Sequence, residues 1–318
     1  MIVQTTLAKT VTFEGVGLHS GAPVRMALHP APADHGITFR RTDLVQAAAR
    51  GEVKPGADPR IPALWDRVTP SKLCTLIENA DGVSVSTIEH VMAALAGLGV
   101  TNTLIEIDGP EVPILDGSSA PFVAKIRRAG LRALSAPLSA IRVLKPVEVQ
   151  LGDARARLEP AAALEIDFAI DFADAAIGRQ EKRLKMSNGA FVRELMDSRT
   201  FCRQSDVEFM QANGLALGGT YENAVVVDGD KVLSPGGLRH ADEAVRHKML
   251  DAMGDLALAG APLIARYIGQ RAGHALTNQL LRALFADPRA WRRETCSADE
   301  VHRLPGAGVL RPVAVAAR

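Results

Sequence analysis

The stretch Ser86-Thr87-Ile88-Glu89-His90-Val91-Met92-Ala93-Ala94-Leu95-Ala96-Gly97-Leu98-Gly99-Val100-Thr101-Asn102-Thr103-Leu104-Ile105-Glu106-Ile107 changes its apolar period part-way along. Ile88, Val91, Met92, Leu95 and Leu98 fall at helical intervals, and Gly97-Leu98-Gly99 supplies the stop. Asn102 to Ile107 then alternates in the β-branched manner of a strand. Upstream, short strand-like runs at Ala8 to Phe13, Val24 to Pro30, Gly36 to Arg40 and Ser71 to Glu78 are punctuated by Gly and Pro. Downstream, the turn-rich Asp108 to Ser118 leads to a second helix from Pro121 to about Ala129. Strands, two helices and interleaved strands make an α+β layer unit.

The same grammar recurs after a linker near Leu134 to Ser139. Strands are expected at Ile141 to Gln150, Ala154 to Leu158 and Leu164 to Phe172, and helices at about Gly189 to Asp197 and Ala241 to Leu258. Two halves of similar grammar predict a duplicated layer architecture. The segment from Ala47 to Arg60 reads as an insertion or surface loop.

Composition bounds the function. A chain of 318 residues, 47% hydrophobic and 23% charged, can bury substantial cores and suggests about two domains. A net charge of +1 without basic clusters argues against a nucleic-acid binder working by counterion release. The three cysteines, Cys74, Cys202 and Cys296, are odd in number and widely spaced, which implies a reducing compartment rather than a disulfide framework. No basic leader with a long apolar run opens the chain, and no apolar stretch approaches the ~20 residues of a membrane span. A cytoplasmic protein without stable membrane insertion is expected, and a monomer is the default.

The chemistry-bearing residues lie on the helices. His247 and Asp251 are four residues apart and leave the same helical face, with Asp255 one turn further on. That stripe is compatible with an exposed polar face. On its own the spacing carries little information, but it also suits two ligands of a metal site, for which His90 offers a third and the adjacent Glu89 a free carboxylate. Ser86-Thr87-Ile88-Glu89 also matches a capping box, which would give Glu89 a purely structural task. His274 opens another apolar helix from Leu276 to Phe285, and Thr200 could serve as a cap or turn hydroxyl.

Taken together, STIEHVMAALAGLG, VRHKMLDAMGDL, SRTFC, GGTYENAVVVD and GHALTNQLL, with GVGLHSG at Gly15 to Gly21, resemble the UDP-3-O-acyl-N-acetylglucosamine deacetylases, zinc enzymes of lipid A biosynthesis. The resemblance runs from Gly15 to Leu281. It implies two α+β domains of similar topology, each a sheet layered with helices, with the active site in the cleft between them. Here these would be residues 1–134 and 140–300, followed by a C-terminal tail, 301–318. The resemblance implies one zinc ion on His90, His247 and Asp251, a donor set that Fe2+ also fits. Glu89 becomes the general base and His274 the protonated partner that supports the oxyanion and donates to the departing amine. Asp255 would support His274, and Thr200 would hydrogen-bond the tetrahedral oxygen.

On the substrate side, the resemblance implies Lys248 toward the phosphates, Phe201 on the sugar, and Asp171 and Phe172 at the uridine, with Leu18 and Gly219 also in contact. Phe172 has a plainer alternative as part of the alternating core strand with Phe168 and Ile170. Cys74 would be peripheral. The implied substrate is UDP-3-O-(3-hydroxyacyl)-N-acetylglucosamine. Its acyl chain would run through a strand-helix-strand unit near Thr200 to Val227, where Leu215, Ala216, Leu217 and Val225 to Val227 are passage or core, and Gly218-Gly219 permits close approach. After Phe201 this chain has Cys202-Arg203, where the family often continues with Gly and an aromatic residue. The loop from Glu52 to Trp65 also looks longer than the family pattern.

Overall fold

The computed structural model describes residues 2–51, 56–71 and 73–310. In the first half, strands β1 (Val11–Val16), β2 (Pro23–Pro30), β3 (Ile37–Arg41), β4 (Arg60–Pro62), helix α1 (Glu89–Leu98), strand β5 (Thr103–Ile107) and helix α2 (Ala120–Ala129) follow in chain order. The strands form a sheet in the order β1-β2-β5-β3-β4, antiparallel except where β3 runs parallel to β5. In the second half come β6 (Val147–Leu151), β7 (Ala154–Glu159), β8 (Glu165–Asp171), β9 (Arg179–Lys185), α3 (Glu243–Ala257), β10 (Arg266–Gln270) and α4 (His274–Ala286). Their sheet, β6-β7-β10-β8-β9, repeats the first in order and in direction, with β8 parallel to β10. The duplicated layering expected from the sequence is therefore present strand for strand.

Each half places one helix before its central strand and one after it. α1 packs on α3, α2 on α1 and β1, and α4 on α3, β6 and β7, so the helices form the layer through which the halves meet. α1 is buried along its length apart from Ala96, as expected of a helix that is apolar on every side. It stops at Gly99, whose φ of 74° only glycine adopts freely. The helix pair is held unusually close at Gly254, where an added Cβ would lie 2.1 Å from the Glu89 carbonyl oxygen.

Several expectations are corrected. Ile141 to Gln150 is two strands in different sheets, Ser139–Val143 and β6, because Pro146 between them cannot donate to a ladder. The expected linker is the strand Leu131–Pro137, antiparallel to the N-terminal strand Val3–Leu7. The expected strand at Ala8 to Phe13 starts later, as β1. Ala47 to Arg60 is not all loop: the helix Thr42–Ala49 covers its start and β4 begins at Arg60, while Glu52 to Pro55 lie outside the described residues. β9 was missed because Arg179, Glu181, Arg183 and Lys185 fill its exposed face and leave little apolar alternation, as suits an edge strand. In the expected C-terminal tail, residues 301–310 pack on the second half and on α1. Leu304 is buried with Ala140, Ile264 and Cys296, and Gly306 lies against Gly99; residues 311–318 lie outside the described part. Among the described residues no helix is long and apolar enough to cross a membrane.

Candidate active site

The crossing of α1 and α3 brings His90, His247 and Asp251 together, their donor atoms all within 4.8 Å of one another. All three are buried, so the exposed-face reading of the α3 stripe does not hold. His247 Nε2 lies 3.2 Å and His90 Nε2 3.7 Å from the same oxygen, Asp251 Oδ1. His247 Nδ1–H donates to the Ser198 carbonyl at 3.0 Å, which directs the Nε2 lone pair toward Asp251. Lys248 Nζ donates to Asp251 Oδ2 at 2.8 Å. Asp251 Oδ1 is left buried without a hydrogen-bond partner. A buried carboxylate oxygen that faces two imidazole nitrogens and has no hydrogen-bond donor of its own makes a donor set that fits a metal ion. Burial works against the charge on Asp251, but His247 and Lys248 hold its pKa well below the ordinary carboxylate range. Burial, reinforced by His247, lowers His90 to about 3 and keeps it a neutral ligand.

Beside these donors stands a second pair. Glu89, the first residue of α1, does not cap its own helix; Oε2 accepts from the Thr75 backbone N–H at 3.0 Å. The capping-box reading therefore fails. The physical reason is the turn at Thr87, whose φ of 58° moves the helix start to Glu89 and aims that side chain inward. Thr87 is held there by Glu111, which accepts from its hydroxyl at 3.1 Å and from the His19 and Ser20 N–H groups at 2.8 and 2.9 Å. Glu89 Oε1 lies 3.8 Å from His274 Nε2. His274 Nδ1 bonds Asp255 Oδ2 at 2.9 Å, and Asp255 Oδ1 accepts from the Thr75 hydroxyl at 2.5 Å. Burial raises Glu89 to about 8. Burial opposes the charge on His274, yet Asp255 and Glu89 outweigh it and raise its pKa to about 10.

Leu18, Cys74 and Thr200 border the same small cavity as Glu89, His90, His247, Asp251 and His274. Gly219 stands next to Leu18: a Cβ there would be 3.6 Å from Leu18 Cδ1. From His247 a line of rings leads outward, with Phe201 at 6.3 Å and Phe172 5.3 Å beyond it, both edge-on. Phe172 falls just past the end of β8 and is 36% exposed, unlike Phe168 and Ile170, so it is not part of the core strand. The Asp171 carboxylate pairs with Arg271, and the Lys248 ammonium with Asp251. Thr200 is fixed by its backbone, donating to Gly117 O and accepting from Val225 N. Phe201–Arg203, Gln204–Ala212 and Val225–Asp228 form the expected strand-helix-strand unit. Val225 to Val227 are buried in it as core, whereas Leu215 and Leu217 are exposed. Arg203 points away to Asp206 at 2.7 Å.

Sequence reasoning missed Thr75, Ser198, Glu111 and Gly254, which orient the site without looking reactive. Next to Ser198 in the chain is a buried brace: Glu243, one turn before His247, accepts from the Arg199 backbone N–H and Nε, each at 2.9 Å.

Duplicated α+β halves with a buried two-histidine, one-carboxylate group that could hold a metal ion, beside a buried carboxylate and imidazole pair, fit the class of metal-dependent enzymes. The chain belongs to the UDP-3-O-acyl N-acetylglycosamine deacetylase (LpxC) family, whose profile matches residues 4–286. It is 51% identical over 296 residues to the UDP-3-O-acyl-N-acetylglucosamine deacetylase of Phenylobacterium zucineum strain HLK1, covering 93% of this chain and 98% of the other. Proteins of the same name from Shewanella sp. strain W3-18-1 and Shewanella woodyi strain ATCC 51908 / MS32 are 46% and 45% identical, covering 92% and 94% of this chain and 92% and 95% of theirs.

Proposed function

We propose that this chain is a zinc hydrolase that removes the N-acetyl group of UDP-3-O-(3-hydroxyacyl)-N-acetylglucosamine, releasing acetate in lipid A biosynthesis. Family membership supports the reaction and its substrate. The observation that carries the mechanism is the adjacency of the His90, His247 and Asp251 donors to the Glu89 and His274 pair. Zinc would be held by the two histidines and Asp251, and when bound it acidifies water and polarises an amide carbonyl.

This chain's residues divide the proton work. Glu89, pinned through Oε2 by Thr75, keeps Oε1 free to accept the proton of the attacking water. Burial raises its proton affinity, which makes the carboxylate form a stronger acceptor. An amide nitrogen leaves only as an amine, so the tetrahedral adduct needs a proton before it collapses. His274 is charged, oriented by Asp255 through Nδ1 and open at Nε2, and it serves as that acid. Thr200 stabilises the tetrahedral oxygen. Lys248, released from Asp251, meets the phosphates, and Phe201 packs on the sugar. Phe172 and Asp171 take the uridine, and Leu18 and Gly219 line the path of the substrate. The halves act as two domains, 1–134 and 140–300, in a cytoplasmic monomer that binds no nucleic acid. Fe2+ is the alternative metal.

Acetate release from the UDP-linked, 3-O-acylated substrate, with and without a chelator, tests the reading. Release that depends on metal and fails with free N-acetylglucosamine is expected. Equal turnover of both substrates would redirect the enzyme to another N-acyl sugar, and no release by metal-loaded protein would refute the reading.

A further inference from the structure

A cavity of about 270 Å³, well apart from the metal donors, opens on the seam between the halves. Ile37, Leu64 and Val100 wall it from the first half, and Leu164, Met253 and Leu256 from the second. Ala96 and Gly99, at the C-terminal end of α1, also border it, so it lies about 10–15 Å along that helix from Glu89. Nothing in the deacetylation chemistry uses this space.

Its mouth is polar and mostly satisfied internally. Gln4 Nε2 donates to Asp34 Oδ1 at 2.6 Å, and Asn102 Nδ2 to Gln4 Oε1 at 3.0 Å. Arg293 is different. Its Nη1 reaches only the Ser139 hydroxyl, at 3.2 Å, and among the described residues no carboxylate lies within ion-pair distance. The neighbouring arginines are paired, Arg292 with Glu294 and Arg142 with Glu294 and Glu300. A guanidinium without an anion at the edge of an apolar pocket suits a carboxylate, which it can take through two parallel hydrogen bonds. Asp34 borders the same mouth, so a head with a single negative charge is favoured over a dianion such as a phosphate monoester.

We propose that this cavity binds a small apolar molecule with one carboxylate, about ten heavy atoms in size, its head on Arg293 and its body against Ile37, Leu164 and Leu256. Such a ligand would bridge the two halves.

The probe is octanoate, titrated calorimetrically into the full metal-loaded chain, with octan-1-ol as the uncharged control. Binding at about 1 mM or tighter is expected. Arg293→Gln, at an exposed position, should weaken octanoate about tenfold and leave octanol unchanged. Ala261→Phe, which fills the cavity, should abolish both. Neither change should alter deacetylation. Octanoate binding that ignores both variants would place it elsewhere, for example at the catalytic centre, and overturn the proposal. Absence of binding, or equal loss of octanol in Arg293→Gln, would do the same. Binding seen only when the chain is ended at Leu310 would assign the cavity to the C-terminal segment instead.

Discussion

Gly254→Ala sets two physical effects against each other at the crossing of α1 and α3. Helix propensity alone favours alanine in the interior of α3 by about 1 kcal/mol. Packing opposes it, because the new Cβ would stand 2.1 Å from the Glu89 carbonyl oxygen and 2.9 Å from its carbonyl carbon. Both are backbone atoms, so no rotamer change relieves the contact. Restoring ordinary van der Waals separation requires the helices to part by about 1 Å, and overpacking of this kind costs about 1–3 kcal/mol. Packing wins, and a net destabilisation of about 1–2 kcal/mol is expected by urea denaturation. The movement also separates Glu89 and His90, on α1, from Asp251 and Asp255, on α3. A misplacement of about 1 Å should lower turnover about a hundredfold. An alanine variant as stable as the parent, with unchanged acetate release, would refute the claim that close approach at Gly254 sets the site.

Asp251→Asn should lose the metal, read as stoichiometry by elemental analysis, whereas Glu89→Gln should retain it and lose turnover by at least about a hundredfold. Glu243→Gln breaks a buried pair with Arg199 and should cost about 3 kcal/mol on denaturation. If that brace holds the Ser198 carbonyl on His247, metal affinity measured by chelator competition should fall about tenfold or more; unchanged affinity would make the brace purely structural. In the metal-free protein, the His274 pKa is raised from 6.5 to about 10. Its contribution to stability is therefore complete below about pH 6.5 and lost as pH rises through about 10. Glu89, raised from 4.5 to about 8, completes its own loss earlier, and Cys202 and Cys296, each raised from 9.0 to about 11, begin theirs only above about pH 9, so the interval from pH 8 to 9 reports mainly on His274. The thermal midpoint should fall across that interval, and His274→Ala should flatten the fall.

What was legible in the sequence was what the chain encodes locally. The helical period from Ile88 to Leu98, its glycine stop and the four-residue step from His247 to Asp251 all reappear in α1 and α3. What was not legible depends on partners far away in sequence. The strand Leu131–Pro137 exists because Val3–Leu7 pairs with it. β9 tolerates a charged outer face because β8 supplies its ladder on the other side. The role of Glu89 turned on a similar non-local fact. Its local motif satisfies the capping-box pattern, and only the positive φ of Thr87, held by Glu111, and the N–H of Thr75 turn the carboxylate away from its own helix.

Thr75 joins the two proton-handling groups. Its backbone N–H binds Glu89 and its hydroxyl binds Asp255, which orients His274. One residue on a loop of the first half thus fixes the proposed base on α1 and, through α3, the proposed acid on α4. Relative movement of the halves would disturb both proton carriers at once. The metal donors are divided in the same way, His90 on α1 and His247 and Asp251 on α3. The α1–α3 contact is what brings these donors together across the duplicated fold. That contact depends on a glycine whose side chain, by being absent, lets Glu89 reach its place.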